Sequence, residues 1–205
     1  MSFDILVSLE WLGTLLALVG SFILATHKMK PSISLSFWLA SNVCYIIYFF
    51  YKEQNGLLLM NLCGFVINSF GMYQWLQHEE KINSKMASLL FNLSLFSFIT
   101  TLYFIISFLH NPSVKNVEWI GSTLGIAAAF LISSRHKYSF LCWFVWCFSN
   151  FILLIMAVFT KQFGFLFLQV GFMFINVYGT VNWIKQYRAN KSIELAGMEI
   201  PSKIS

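Results

Sequence analysis

The sequence predicts an all-α integral membrane protein with seven transmembrane helices, arranged 3+1+3 around two parallel three-helix repeats. Three observations carry this: an apolar composition, a series of long uncharged runs, and internal similarity at a fixed offset of 108 residues. Of 205 residues, 58% are hydrophobic and 10% charged, against about 45–50% and about 25% in soluble domains. The mean hydropathy is +0.71. With 13 basic and 8 acidic side chains, no soluble fold could cover so much apolar surface. The same composition excludes a disulfide scaffold, a disordered chain and a sizeable soluble catalytic domain.

A bilayer-crossing helix needs roughly 20 mostly apolar residues. Spans are predicted at 10–26, 33–51, 56–77, 87–109, 118–134, 138–159 and 163–184. The first and fifth are short, which places Glu10 and Glu118 at helix starts near the interface. Polar breaks such as His27-Lys28-Met29-Lys30-Pro31, Glu79-Glu80-Lys81 and Arg135-His136-Lys137 separate spans and leave no room for a domain outside the bilayer. Barrel strands are excluded, because the runs lack period-2 alternation and are twice a barrel strand's length.

Lys and Arg set the expected orientation. The segments after spans one, three, five and seven carry 2, 2, 2 and 4 of them, ten in all. The N-terminus and the other loops carry 0, 1, 1 and 1, three in all. The N-terminus is therefore expected outside and the tail in the cytoplasm, with the bacterial inner membrane as the location. The first apolar run has no small-x-small cleavage site before His27 and reads as a span, not a signal peptide. The net charge of +5 reflects this inside bias, so no nucleic-acid partner is expected. Cys44, Cys63, Cys142 and Cys147 lie within spans without CxxC spacing and read as apolar filler, so no metal or cofactor is expected.

Residues 10–79 align on 118–187 without a gap, with 16 of 70 positions identical. Glu10-Trp11-x-Gly13 matches Glu118-Trp119-x-Gly121, and Trp38-x-x-Ser41-Asn42 matches Trp146-x-x-Ser149-Asn150. Gln54-x-Gly56 matches Gln162-x-Gly164, and Asn68-x-x-Gly71-x-x-x-Trp75 matches Asn176-x-x-Gly179-x-x-x-Trp183. Chance likeness between apolar helices would share Leu and Ile instead. The expected division is 1–79 as the first repeat, 80–114 as a linker with an unpaired fourth helix, 115–187 as the second repeat, and 188–205 as a cytoplasmic tail. A three-helix unit fused directly to its copy would be inverted; the fourth helix restores the orientation and makes the repeats parallel. Such repeats build transporters with a binding site at their interface near the midplane.

The spans hold no ionisable group except Glu10 and Glu118, and His27, His78, His110 and His136 all sit at loop edges. A proton-driven carrier needs a titratable relay in the bilayer, so a passive facilitator is expected. Intramembrane hydrolysis is equally disfavoured: there is no HExxH, no embedded Asp pair and no mid-helix His to activate a Ser. Phe163–Ile184 holds no Lys for a retinal Schiff base.

What remains is polar and uncharged. Trp143, Trp146 and Asn150 share one helical face, as do Trp38 and Asn42. Asn61, Asn68 and Trp75 form a stripe at seven-residue steps, and so do Gln169, Asn176 and Trp183. Amides facing lipid are costly, so these faces should look inward. Candidate substrate ligands are Trp38, Asn42, Asn61, Asn68, Trp143, Trp146, Asn150, Gln169 and Asn176; Asn68 and Asn176 fit interhelical glue equally well. Trp75 and Trp183 read as interface anchors. A flat heteroaromatic ring suits this lining. If cationic, it gains roughly 0.5–2 kcal/mol per Trp without a counter-ion. For Glu10 and Glu118, a role in drawing a cation to the outer mouth competes with stabilisation of a helix start.

These motifs resemble the PnuC-type vitamin transporters, typified by carriers of nicotinamide riboside. The resemblance rests on Trp143-x-x-Trp146-x-x-x-Asn150, on Gln169-Val170-x-Phe172-x-x-x-Asn176-x-Tyr178-Gly179-x-x-x-Trp183, and on the weaker Glu10-Trp11-x-Gly13 and Asn68-x-Phe70-Gly71-x-x-x-Trp75. It covers residues 10–187. It implies facilitated uptake of a nucleoside-like vitamin, trapped in the cytosol by a separate kinase; relatives carry thiamine or riboflavin. Here the Gln of the Gln-Val-x-Phe pattern stands in the second repeat, with Asn61 as its counterpart, and the Trp pair has a half-copy at Trp38. The arrangement is SWEET-like, and a SWEET or PQ-loop sugar facilitator is the alternative. Those proteins carry prolines inside the first helix of each repeat, whereas Pro31, Pro112 and Pro201 lie outside the spans here. The expected mechanism is alternating access by rocking of the two units. The expected partners are the small-molecule substrate and the bilayer, with homo-oligomerisation left open.

Overall fold

The computed structural model describes residues 3–26, 31–76, 84–133 and 141–195. Among them the chain forms seven helices: α1 (Phe3–Thr26), α2 (Pro31–Tyr51), α3 (Asn55–Leu76), α4 (Ser84–His110), α5 (Val114–Ser133), α6 (Cys142–Thr160) and α7 (Phe163–Leu195). Five are long and apolar enough to cross a bilayer (α1, α2, α3, α4 and α6), and Phe163–Tyr178 of α7 forms a shorter apolar stretch. Around α4, Phe96, Ile99, Leu102, Tyr103 and Ile106 are all more than half exposed. A continuous apolar face of this kind belongs in lipid. The chain is an integral membrane protein.

Several boundaries differ from the sequence expectation: α4 begins at Ser84, α6 at Cys142 and α5 at Val114, which puts Glu118 a turn inside α5. α1 begins at Phe3, so Glu10 lies two turns inside it and not at its start. Asp4 in the first turn favours this earlier start through the helix dipole. Pro31 is the first residue of α2, where a missing N–H costs nothing. α7 continues past residue 184 to Leu195, into the segment read as tail. Residues 27–30, with His27, 77–83, with His78, 134–140, with His136, and 196–205 of the expected tail lie outside what is described, as do the side chains of Trp75 and Trp183.

The turns α2–α3 and α6–α7 have the same construction. Glu53 and Lys161 take left-handed backbone conformations, at φ 56° and 55°. After the first helix of each pair, the N–H of Glu53 reaches Phe50 O and that of Gln54 reaches Phe49 O, at 3.3 and 3.1 Å. Lys161 and Gln162 repeat this on Val158 O and Ala157 O at the same distances. These are Schellman closures that satisfy terminal carbonyls. Gln54 and Gln162 then open the next helix at once, each accepting a bond four residues on, from Leu58 and Leu166.

α1, α2, α3, α5, α6 and α7 pack in that order into a closed ring, with α7 returning to α1; α4 packs outside it on α5. Ser34 Oγ donates to Gly20 O and Ser41 Oγ to Gly13 O, which fixes α1 and α2 as antiparallel. Ser149 Oγ donates to Gly121 O in the same way, at 2.8 Å like its counterpart Ser41. The seams α1–α7 and α3–α5 run parallel: Glu10 meets Phe165 and Leu18 meets Gly171, while Glu118 meets Gly56 and Met60 meets Gly125.

Gly121 sets the approach of α5 and α6. A Cβ there would lie 2.6 Å from Cδ2 of the fully buried Leu153. Gly121→Val is expected to cost about 1–3 kcal/mol by overpacking. A melting curve in detergent checks this, with the lipid-facing Ile99→Val as the neutral control.

Candidate substrate cavity

The ring encloses a cavity of about 180 Å³, space for on the order of a dozen waters. All nine residues singled out from the sequence line it: Trp38 and Asn42 from α2, Asn61 and Asn68 from α3, Trp143, Trp146 and Asn150 from α6, and Gln169 and Asn176 from α7. The helical stripes read from spacing therefore converge on one space. Among the described residues, no Asp, Glu, His, Lys or Arg lines it.

The aromatic wall is held in place. Trp143 and Trp146 stand edge to face, with ring centroids 5.7 Å apart and planes at 71°. Trp38 donates its indole N–H to Ser21 Oγ at 3.0 Å. Gly20 makes room for that indole, since a Cβ there would come within 2.6 Å of Trp38 Cδ1. The positions equivalent to Gly20 and Ser21 in the second half are Ala128 and Ala129. Trp146 thus lacks the hydroxyl acceptor that ties down Trp38.

The polar groups are unevenly satisfied. Asn61 Nδ2 donates to Leu57 O at 2.8 Å, in its own helix. Asn42 Nδ2 and Gln169 Oε1 are buried without a hydrogen-bond partner among the described residues. Gln169 is 1% exposed. A buried amide atom left unpaired costs about 1–3 kcal/mol, and native proteins carry few of them without a reason. One orphan is a donor and the other an acceptor, and both belong to residues that line the cavity.

Toward the N-terminal end of α1 the cavity is shut. Tyr48, Phe49, Leu57, Leu153, Met156 and Phe165, each at 0–1% exposure, pack into one cluster with Tyr45. The ring of Tyr45 stacks on Phe49 at 5.3 Å, and Phe165 meets Phe49 edge on at the same distance. The Tyr45 hydroxyl donates to Thr14 Oγ1, which donates to Gly164 O, at 2.6 and 3.0 Å. This ties α2, α1 and α7 together.

Sequence reading missed this layer, because Tyr45, Tyr48 and Phe49 look like any apolar run. It also misplaced the two glutamates. Glu10 and Glu118 are buried, at 6% and 5% exposure, and neither serves its own helix start. Glu10 Oε1 accepts from the N–H of Phe165 in α7 at 2.8 Å, and Oε2 from the Tyr48 hydroxyl at 3.1 Å. Glu118 Oε1 accepts from the N–H groups of Gly56 and Leu57 in α3 at 2.7 and 3.2 Å. Each carboxylate caps the third helix of the other half. The signal was present in the joint recurrence of Glu-Trp-x-Gly and Gln-x-Gly at one offset.

A search of curated proteins and a search of solved structures return no match to this chain. The profile of a transporter family, described as nicotinamide mononucleotide transporter, matches residues 8–185. That span includes the six ring helices up to residue 185, α4, and every residue named above as lining the cavity. The chain belongs to the nicotinamide mononucleotide transporter family, the PnuC-type transporters that its motifs resemble.

Proposed function

We propose that the protein is a facilitator that takes up nicotinamide riboside by alternating access, without a proton relay of its own. The observation that carries this is the chemistry of the cavity wall: three tryptophans and six amides, with no charged side chain among the described residues. A pyridinium ring finds cation–π attraction between indole faces, and the carboxamide and ribose hydroxyls of the substrate suit the amides of Asn42, Asn150 and Gln169, which line the cavity. The family's description names the mononucleotide. We favour the riboside, because a phosphate carries about −1.5 to −2 charge and the wall offers no Lys or Arg among the described residues to receive it.

The architecture we propose is seven membrane spans in SWEET-like 3+1+3 form, with residues 1–79 and 115–187 as parallel units and α4 within the 80–114 connection. The recurrent turns at Glu53 and Lys161, the paired Ser–Gly bonds and the mutual caps support it. By the Lys and Arg bias, the N-terminus faces outside a bacterial inner membrane and residues 188–205 face the cytoplasm. A cytosolic kinase would trap the substrate. The nine lining residues form the binding site.

In proteoliposomes, uptake of labelled nicotinamide riboside is expected to run to equal concentrations and stop. An imposed pH gradient should leave its rate unchanged. Accumulation above equality driven by that gradient would replace the facilitator with a symporter. Cys63 lines the cavity and is half-buried, so saturating riboside should slow its alkylation several-fold. An unchanged alkylation rate with bound riboside would place the substrate elsewhere.

A further inference from the structure

The cavity's closed end is fastened twice, and each fastening joins the two halves of the ring. Glu10 crosses the α1–α7 seam and Glu118 crosses the α3–α5 seam, the two seams at which residues 10–79 and 118–187 meet. Both carboxylates serve helix N-termini, whose first N–H groups have no intrahelical acceptor. Glutamine is a weak N-cap, and at Gln54 and Gln162 the side-chain Oε1 is buried and unpaired. The acceptor comes instead from the opposite half, with charge matched to the positive helix end. Gly56 and Gly164 leave the space, since a Cβ at either would lie 3.0 Å from Glu118 Oε1 or Glu10 Cγ.

We propose that Glu10 and Glu118 are a pair of latches that hold the cavity shut at the N-terminal end of α1. This rests on the transport reading above. A substrate arriving from that side must pass between the halves, past Tyr48, Phe49 and Phe165, and so must part both seams. While the seams are closed, the helix N–H groups depend on these carboxylates. Once the seams part, water satisfies both sides. The latches therefore favour the closed state alone, and removing the acceptor shifts the equilibrium toward opening.

The test uses the full-length protein in intact cells, treated from outside with a membrane-impermeant maleimide and read cysteine by cysteine by mass spectrometry. Cys63 reports the cavity, while Cys44 and Cys142 are buried within the separate halves. In E10A/E118A, outside labelling of Cys63 is expected to rise roughly tenfold or more, with Cys44 and Cys142 unchanged. E10A and E118A alone should fall between. E10Q/E118Q, which keeps an acceptor, should stay near wild type. Unchanged Cys63 labelling in E10A/E118A would overturn the proposal. So would a parallel rise at Cys44 and Cys142, which marks general loosening. A rise seen only in inverted vesicles would support the latches and overturn the assigned orientation. Nicotinamide riboside binding is measured on the same variants. Its absence alongside a selective rise at Cys63 would overturn the substrate assignment and uphold the latches.

Discussion

Trp146→Ala is expected to abolish detectable binding of nicotinamide riboside while the protein stays folded. Trp146 lines the cavity beside Trp143, edge to face at 5.7 Å. Its counterpart Trp38 is anchored on Ser21, whereas the position equivalent to Ser21 in the second repeat is Ala129, which offers no acceptor. Stacking of a ring on an aromatic side chain contributes about 1–3 kcal/mol, and a cationic ring in a dry site adds up to about 2. The combined loss of about 1.5–5 kcal/mol corresponds to roughly 10- to 5,000-fold in affinity. The indole is half-buried, against a cavity, so its loss should shift the melting temperature little. Calorimetry with nicotinamide riboside, beside a melting curve, separates the two effects. Affinity within a few-fold of wild type would remove Trp146 from the site.

Gln169→Met should weaken binding at least tenfold and raise stability at once. The side chain is fully buried and its Oε1 has no partner among the described residues, in a position where methionine fits the same volume. Replacing it removes an unsatisfied polar atom that costs about 1–3 kcal/mol in the empty protein. In the loaded protein the same change removes an amide from the cavity wall. A melting temperature that rises by a few degrees, with affinity that falls, is the signature of a residue kept for its ligand. A fall in both would make Gln169 a packing residue.

The site was more legible in the sequence than the gate, and the reason is physical. Asn and Gln are rare on lipid-facing helix surfaces, so their spacing, with Trp recurring on the same face, marks an inward face without knowledge of the partners. Trp143, Trp146 and Asn150, at i, i+3 and i+7, reach the cavity for this reason, and so do Gln169 and Asn176. Helix existence was legible because apolar runs of this length have few alternatives. Its limits were not: α1 starts at Phe3 because the turn carrying Asp4 continues an apolar helix, and charge counting stopped short at Glu10. The cross-capping by Glu10 and Glu118 depends on which helices adjoin, and the offset of 108 alone does not say that each half caps the other. The closing layer of Tyr45, Tyr48 and Phe49 has no sequence signature, since its counterparts in the second half are Leu153, Met156 and Ala157. Large side chains on α2 fill the space that small ones on α6 leave.

On the proposed function, the tryptophan-lined cavity binds the riboside and excludes its phosphate ester. Parallel calorimetric titrations of the purified protein with nicotinamide riboside and nicotinamide mononucleotide test it most directly, with thiamine, riboflavin and a hexose as controls. Saturable binding of the riboside is expected, with the mononucleotide at least about 100-fold weaker, because its phosphate would lie buried without a cation. Equal or tighter binding of the mononucleotide, or a response to the hexose alone, would contradict the account.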